Sequence, residues 1–148
     1  MGRPIDVYRH TKAPIAVVWS VLADHEGYRR WARIPTAVLE EEGEGERNGV
    51  GALRRMGVGP FGVKERVVQF APPRRLSYVI EAGLPVRGYR ADVVLTPTSD
   101  GGTDIRWTGS FESVPPGTDR LFRSGFGRVL RELANRLARE AERHSAPD

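Results

Sequence analysis

Few residues in this chain are equipped for covalent or metal chemistry. Its three histidines, His10, His25 and His144, lie on different segments and at no metal-ligand spacing, so no zinc or iron site is expected. Cysteine is absent, which excludes disulfides and thiolate nucleophiles. The sequence has no G-x-S-x-G, no P-loop and no dinucleotide fingerprint. The glycines from Gly57 to Gly62 join two strands and open no helix, so no cofactor is expected either. Elimination leaves no catalytic group. Two adjacent choices of charge, Arg54 or Arg55 and Glu65 or Arg66, lie on neighbouring strand-like segments. Alternation does not decide which member of each pair faces inward. If Arg54 and Glu65 do, they come within reach of each other across a hairpin. Such a pair is either a structural ion pair, because buried charges must be paired, or a working one. In the second case the arginine holds a ligand carbonyl or carboxylate and the glutamate moves a proton. A set of large aromatics, Trp19, Trp31, Tyr78, Tyr89, Trp107, Phe122 and Phe126, suits either a core or the stacking of a flat ligand.

The element that must position these groups is the last regular segment, Pro115 to Arg143. Phe122, Phe126, Val129, Leu130, Leu133, Leu137 and Ala141 share one arc of a helical wheel. Arg123, Ser124, Arg128, Arg131, Asn135, Arg139 and Glu142 lie opposite. Arg128/Glu132, Glu132/Arg136 and Arg136/Glu140 are spaced to pair. Pro115 to Thr118 read as the helix start, since proline is tolerated in a first turn. Gly125 and Gly127 each cost about 0.5–1 kcal/mol relative to alanine inside a helix. Their presence implies either close packing against a neighbouring backbone or room left for a ligand.

Upstream, Ile5–His10 alternates as a half-buried strand. Ile15–Leu22 reads as a short helix after Pro14, and Asp24 is placed to cap a second one through Trp31. From Pro35 the period is two: strands are expected at 36–42, 50–56, 63–70, 76–81, 89–96 and 103–111. Turns fall at Gly43–Gly49, at Gly57, Gly59, Pro60 and Gly62, at Ala71–Pro73, at Gly83–Gly88 and at Ser99–Gly102. The tail from Ser145 to Asp148 should fray. Tight connections make consecutive strands antiparallel neighbours. A sheet of seven strands with one apolar face then needs the stripe of the last helix as its cover, and should curl round it, leaving an internal space near Phe126 and Tyr89.

Composition sets the outer limits. A chain of 148 residues, 39% hydrophobic and 28% charged, is the size of one domain, here 1–148, with one core. No run approaches the ~20 apolar residues of a spanning helix, so no transmembrane association is expected. The first residues carry no apolar leader, and the lack of cysteine fits the cytoplasm. Arginine supplies 21 of the 23 basic residues behind the net charge of +4. They are scattered among acids with no aromatic interleaving, the pattern of a solvated surface, and no nucleic-acid partner is expected. A homodimer is left open.

The element order, with Ala13-Pro14-Ile15-Ala16-Val17-Val18-Trp19 leading to Tyr28-Arg29-Arg30-Trp31, then Ala71-Pro72-Pro73-Arg74-Arg75-Leu76, then Gly102-Thr103-Asp104-Ile105-Arg106-Trp107, resembles the START-like or helix-grip superfamily (SRPBCC). Within it the chain looks most like the bacterial polyketide cyclase/dehydrase and lipid-transport branch. The resemblance spans nearly the whole chain. It implies an α+β helix-grip fold: a curved, seven-stranded antiparallel sheet wrapped around a long C-terminal helix, with two short helices after the first strand. It also implies a cavity that takes a hydrophobic or aromatic small molecule. Under the family's strand registers Arg54, Met56, Glu65, Leu76, Tyr78, Ile80, Tyr89, Ala91 and Val93 point inward; periodicity alone supports Leu76/Tyr78/Ile80 and Tyr89/Ala91/Val93/Leu95. The expected ligand-binding set is Trp31, Arg54, Met56, Glu65, Tyr78, Tyr89, Phe126 and Leu130, with Arg54 and Glu65 as catalytic candidates. The favoured expectation is binding or transport of a hydrophobic ligand. The alternatives are a cofactor-independent polyketide cyclase, aromatase or dehydratase, and a protein-interaction module.

Overall fold

A computed structural model describes residues 3–58 and 61–145. The turn positions Gly59 and Pro60 and the tail beyond Ser145 lie outside the described residues. In chain order the elements are strand β1 (Ile5–Thr11), helix α1 (Ile15–Ala23), a 3-10 turn (His25–Gly27), helix α2 (Tyr28–Trp31) and strands β2 (Thr36–Glu41), β3 (Leu53–Val58), β4 (Phe61–Ala71), β5 (Arg75–Ala82), β6 (Arg90–Pro97) and β7 (Thr103–Ser110). Helix α3 (Asp119–Ser145) ends the series. All seven strands form one antiparallel sheet in the order β1-β7-β6-β5-β4-β3-β2. The first strand pairs with the last, from Ile5 opposite Gly109 to Thr11 opposite Thr103.

Alternation decides the sheet's inner face. Leu76, Tyr78, Ala91, Val93, Leu95, Ile105 and Trp107 are buried, and cross-strand partners such as Tyr78/Ala91 and Val93/Trp107 share that face. The β4–β5 register shifts twice, with one extra residue, Val68, in β4 between Val67 and Gln69, and one, Glu81, in β5 opposite the Lys64–Glu65 step. Bulges of this kind bend a strand and raise its twist, which lets the sheet curve.

Helix α3 makes its close contacts with β1, β7 and α1. Its buried row is Gly127, Leu130, Ala134, Leu137, Ala138 and Ala141, mostly small residues that bring the helix near the strands. Gly109 on β7 serves the same approach: a Cβ there would lie 2.7 Å from the Tyr89 hydroxyl and 3.1 Å from Leu130 Cδ1. Polar links fix the C-terminal half. Arg9 donates to Asn135 Oδ1 at 2.7 Å and the Thr11 hydroxyl to Glu142 at 2.7 Å. Arg30 on α2 reaches the buried Glu140 carboxylate at 3.0 Å, which also receives His144 at 2.9 Å.

Several boundaries differ from the sequence reading for local reasons. Helix α3 begins at Asp119 because Gly117 has φ of +80°, a left-handed turn that cannot belong to a helix; the Phe122 N–H then bonds the Thr118 carbonyl. Asp24 makes no side-chain cap, and a 3-10 turn intervenes before Tyr28. Residues 50–52 form a turn, with Gly51 at φ of +91°, so β3 starts at Leu53. Along α3 only Glu132/Arg136 pairs as expected, at 2.7 Å, while Glu140 turns to Arg30 and His144. Val129 is 53% exposed and leaves the buried stripe.

Candidate functional site

Because α3 is fastened along β1 and β7, the inner faces of β3, β4 and β5 are left facing a gap. That gap is a pocket of about 860 Å³. Its deep wall is Met56, Glu65, Tyr78, Ile80 and Tyr89 from the sheet side, with Phe122, Phe126, Leu130 and Leu133 from α3. Ala32 to Pro35 and the Gly83–Leu84 turn border it, and Leu121, Val129, Glu132 and Arg136 lie along the helix side.

Gly125 and Gly127 divide the two readings between them. A Cβ on Gly125 would meet nothing within 4 Å, and this residue lines the pocket. A Cβ on Gly127 would sit 3.8 Å from Ile5 on β1, so this glycine is part of the helix-to-sheet contact. The Tyr89 and Phe126 rings meet directly, centroids 4.6 Å apart. No space separates them, and the open volume lies beside the pair.

The structure also resolves the two choices of charge. Arg54 is opposite Glu65 in the β3–β4 register, and both are buried, whereas Arg55 is exposed and pairs with Glu40. Arg54 Nη2 donates to Glu65 Oε1 at 2.7 Å. The guanidinium lies between two tyrosines, 4.9 Å from the Tyr78 ring centroid and 5.6 Å from that of Tyr28, an arrangement that favours a planar cation. Tyr78 in turn accepts a hydrogen bond from Trp107 Nε1 at 3.2 Å, and the Tyr28 hydroxyl donates to the Leu22 carbonyl at 3.0 Å.

Burial raises the Glu65 pKa, and the Arg54 charge offsets this only in part. Burial works against the Arg54 charge too, but Glu65 keeps the guanidinium protonated. Desolvation pushes the Tyr78 hydroxyl well up, so it stays neutral and able to donate. His25, fully buried beside this cluster, is driven down to about 3 by desolvation and then by the Arg54 charge. It is a neutral imidazole at physiological pH.

Of the eight residues expected to bind a ligand, Met56, Glu65, Tyr78, Tyr89, Phe126 and Leu130 line the pocket. Arg54 does not: its guanidinium is held behind Glu65 by the two tyrosines. Trp31 does not either. In the one-turn helix α2 it packs on Tyr28, centroids 4.6 Å apart, and borders a separate cleft of about 380 Å³ with Asp24, Arg30 and His144. Residues 32–35 and Leu84 went unforeseen. Their one local signal is backbone geometry, Arg33 at φ of 55° and Gly83 at φ of +104°, where a side chain would collide with the Gly62 carbonyl. Among the described residues no three His, Asp or Glu side chains gather at metal-binding range, and no helix is long and apolar enough to cross a membrane.

A curved antiparallel sheet closed by its first strand and gripped against one long helix defines a START-like, helix-grip protein (SRPBCC). Residues 5–142 match the sequence profile of one family of that superfamily, and the chain belongs to it: polyketide cyclase / dehydrase and lipid transport. A START superfamily protein from Mycobacterium smegmatis superposes with a TM-score of 0.81 at 16% identity, covering 97% of this chain and 100% of that one. A Thermobifida fusca protein solved by NMR gives 0.75 at 25% identity, covering 95% of each chain. A Nitrosospira multiformis protein gives 0.74 at 21%, covering 98% of this chain and 100% of that one. No protein of curated function matches the sequence.

Proposed function

We propose that this protein binds a hydrophobic or aromatic small molecule in the pocket between α3 and strands β3 to β5. The observation that carries the reading is the deep wall: aromatic and aliphatic side chains surround a volume within the ~300–1,000 Å³ usual for small-molecule sites. Its one buried charge, Glu65, is already matched by Arg54. Affinity should therefore follow apolar contact area. Titration with the neutral fluorophore N-phenylnaphthylamine tests this. Phe126→Ala should weaken binding at least about ten-fold, in line with the loss of a large buried aromatic contact, and Glu65→Gln should change it little. Unchanged affinity in Phe126→Ala would overturn the location of the pocket. Mass spectrometry of the natively purified protein would then give the class of ligand carried.

A second reading rests on one observation, that Glu65 is a pocket-lining carboxyl whose pKa burial has raised. Such a group can accept and return a proton, as cyclisation and dehydration of a poly-β-ketone require, while the Tyr78 and Tyr89 hydroxyls orient carbonyls. Under this reading Glu65→Gln abolishes turnover of a poly-β-ketone thioester and leaves its binding intact. Turnover that survives the substitution removes the enzymatic reading and leaves the binding one.

A further inference from the structure

The surface of α3 that faces away from the sheet is organised in two adjacent rows. Arg120, Ser124, Arg128, Arg131, Asn135 and Arg139 follow one another at intervals of three or four, one stripe along the helix, exposed except at Asn135, which turns to accept from Arg9 on β1. Among the described residues its four arginines have no carboxylate partner. The helix's acids are engaged elsewhere: Asp119 with Arg123, Glu132 with Arg136, Glu140 with Arg30 and His144, and Glu142, which closes the C-terminal end of this stripe, with the Thr11 hydroxyl on β1. Beside this stripe runs Leu121, Gly125 and Val129. Leu121 is 71% exposed and Val129 is 53% exposed, and all three also line the pocket. An aliphatic lip on the pocket thus adjoins a strip of uncompensated positive charge on one helix.

We propose that this surface docks on an anionic lipid bilayer, with Leu121 and Val129 entering the headgroup boundary and the four arginines meeting lipid phosphates and carboxylates. The pairing of exposed aliphatics with a basic stripe selects this partner. A nucleic acid would use the charge but offers nothing to the two aliphatic side chains, and the stripe holds no aromatic residue on which a base could stack. The proposal deepens the binding reading, and rests on it, only in saying where the pocket meets its ligand. Docking itself is a property of the helix exterior.

Each arginine near an anionic leaflet strengthens association about five-fold at moderate ionic strength. Co-sedimentation with vesicles provides the test, comparing phosphatidylcholine alone with phosphatidylcholine containing about a third phosphatidylserine, a strongly anionic surface. The wild-type chain should bind the anionic vesicles and lose them in high salt. Arg128→Glu with Arg131→Glu should weaken that binding about 25-fold or more. The charge-matched control, Lys12→Glu with Arg74→Glu, two exposed residues outside α3, should change it far less. Neither pair lines the pocket, so both proteins should keep wild-type melting and wild-type binding of N-phenylnaphthylamine. Equal binding to neutral and anionic vesicles, equal loss in both double variants, or tight binding of a DNA duplex in preference to anionic vesicles would each overturn the proposal. Because the fluorophore titration is read separately, failure here leaves the pocket reading standing, and failure there leaves this one.

Discussion

Arg54 and Glu65 face each other on adjacent strands with their side chains in contact at 2.7 Å, and the two ends of this pair are not equivalent. Glu65→Leu strands a guanidinium that cannot give up its proton, and should cost about 3–5 kcal/mol near neutral pH. Arg54→Leu leaves a carboxyl that can become neutral. Its folded pKa, already raised by burial, then climbs further above the unfolded value of about 4.3. Between those two values the folded state holds more protons than the unfolded one, so the stability of this variant should fall as pH rises from about 4.3 toward the folded value. Urea unfolding at several pH values checks both variants; a pH-independent Arg54→Leu would contradict the assignment.

Leucines on α3 should separate by what lies beneath them. Leu137 is fully buried against the strands, and Leu137→Ala should cost about 2–5 kcal/mol. Leu133 borders the pocket and is only partly buried, so its truncation enlarges an existing space and should cost about half as much. Denaturation midpoints that rank the two the other way would show that α3 is rotated relative to the sheet.

Gly125→Ala should raise stability by about 0.5–1 kcal/mol, the ordinary gain of alanine over glycine inside a helix, because its Cβ meets nothing within 4 Å. Gly109→Ala should do the reverse. Its Cβ would lie 2.7 Å from the Tyr89 hydroxyl, forcing a shift of Tyr89 and Leu130 that costs about 1–3 kcal/mol. Thermal melting of the two proteins reads opposite signs.

His10 lies between Asp104, 2.9 Å away, and Asp100, 3.0 Å away. The hydrogen bond to Asp104 raises its pKa above the usual value; desolvation opposes this, and Asp100 adds to the rise. A raised histidine stabilises the fold fully below the unfolded pKa of about 6.5, and the contribution disappears as pH climbs through the higher folded value. NMR titration should find that higher value, and Asp104→Asn should bring it down.

Much of the architecture was legible from alternation, because a strand with one wet face sorts its residues by type: Leu76, Tyr78 and Ile80 could face only one way. Arg54 and Arg55 offered no such contrast, since both are charged, and only the register with β4 separates them. Trp31 misled for a related reason. A large aromatic near a predicted cavity suits a ligand and a core equally, and a helix of one turn has too few residues for a periodicity to show which side it presents. The start of α3 turned on the sign of one backbone angle at Gly117, which residue identity permits without specifying. The lining at residues 32–35 and Leu84 comes from segments with no period at all, brought to the pocket by the ends of the strands they connect.

The pairing of β1 with β7 sets a timetable for the molecule. Asp6 and Arg106, joined across those strands, are 100 residues apart in the chain. During synthesis the first strand therefore leaves the ribosome long before its partner exists, and the chain must wait with β1 unpaired and one face of its later strands uncovered until α3 emerges behind them. Contacts so distant close slowly and leave strand edges exposed in the interval. Chaperone demand should therefore concentrate in the last quarter of translation, so that ribosome-stalled chains ending before Asp119 are protease-sensitive and full-length ones are not.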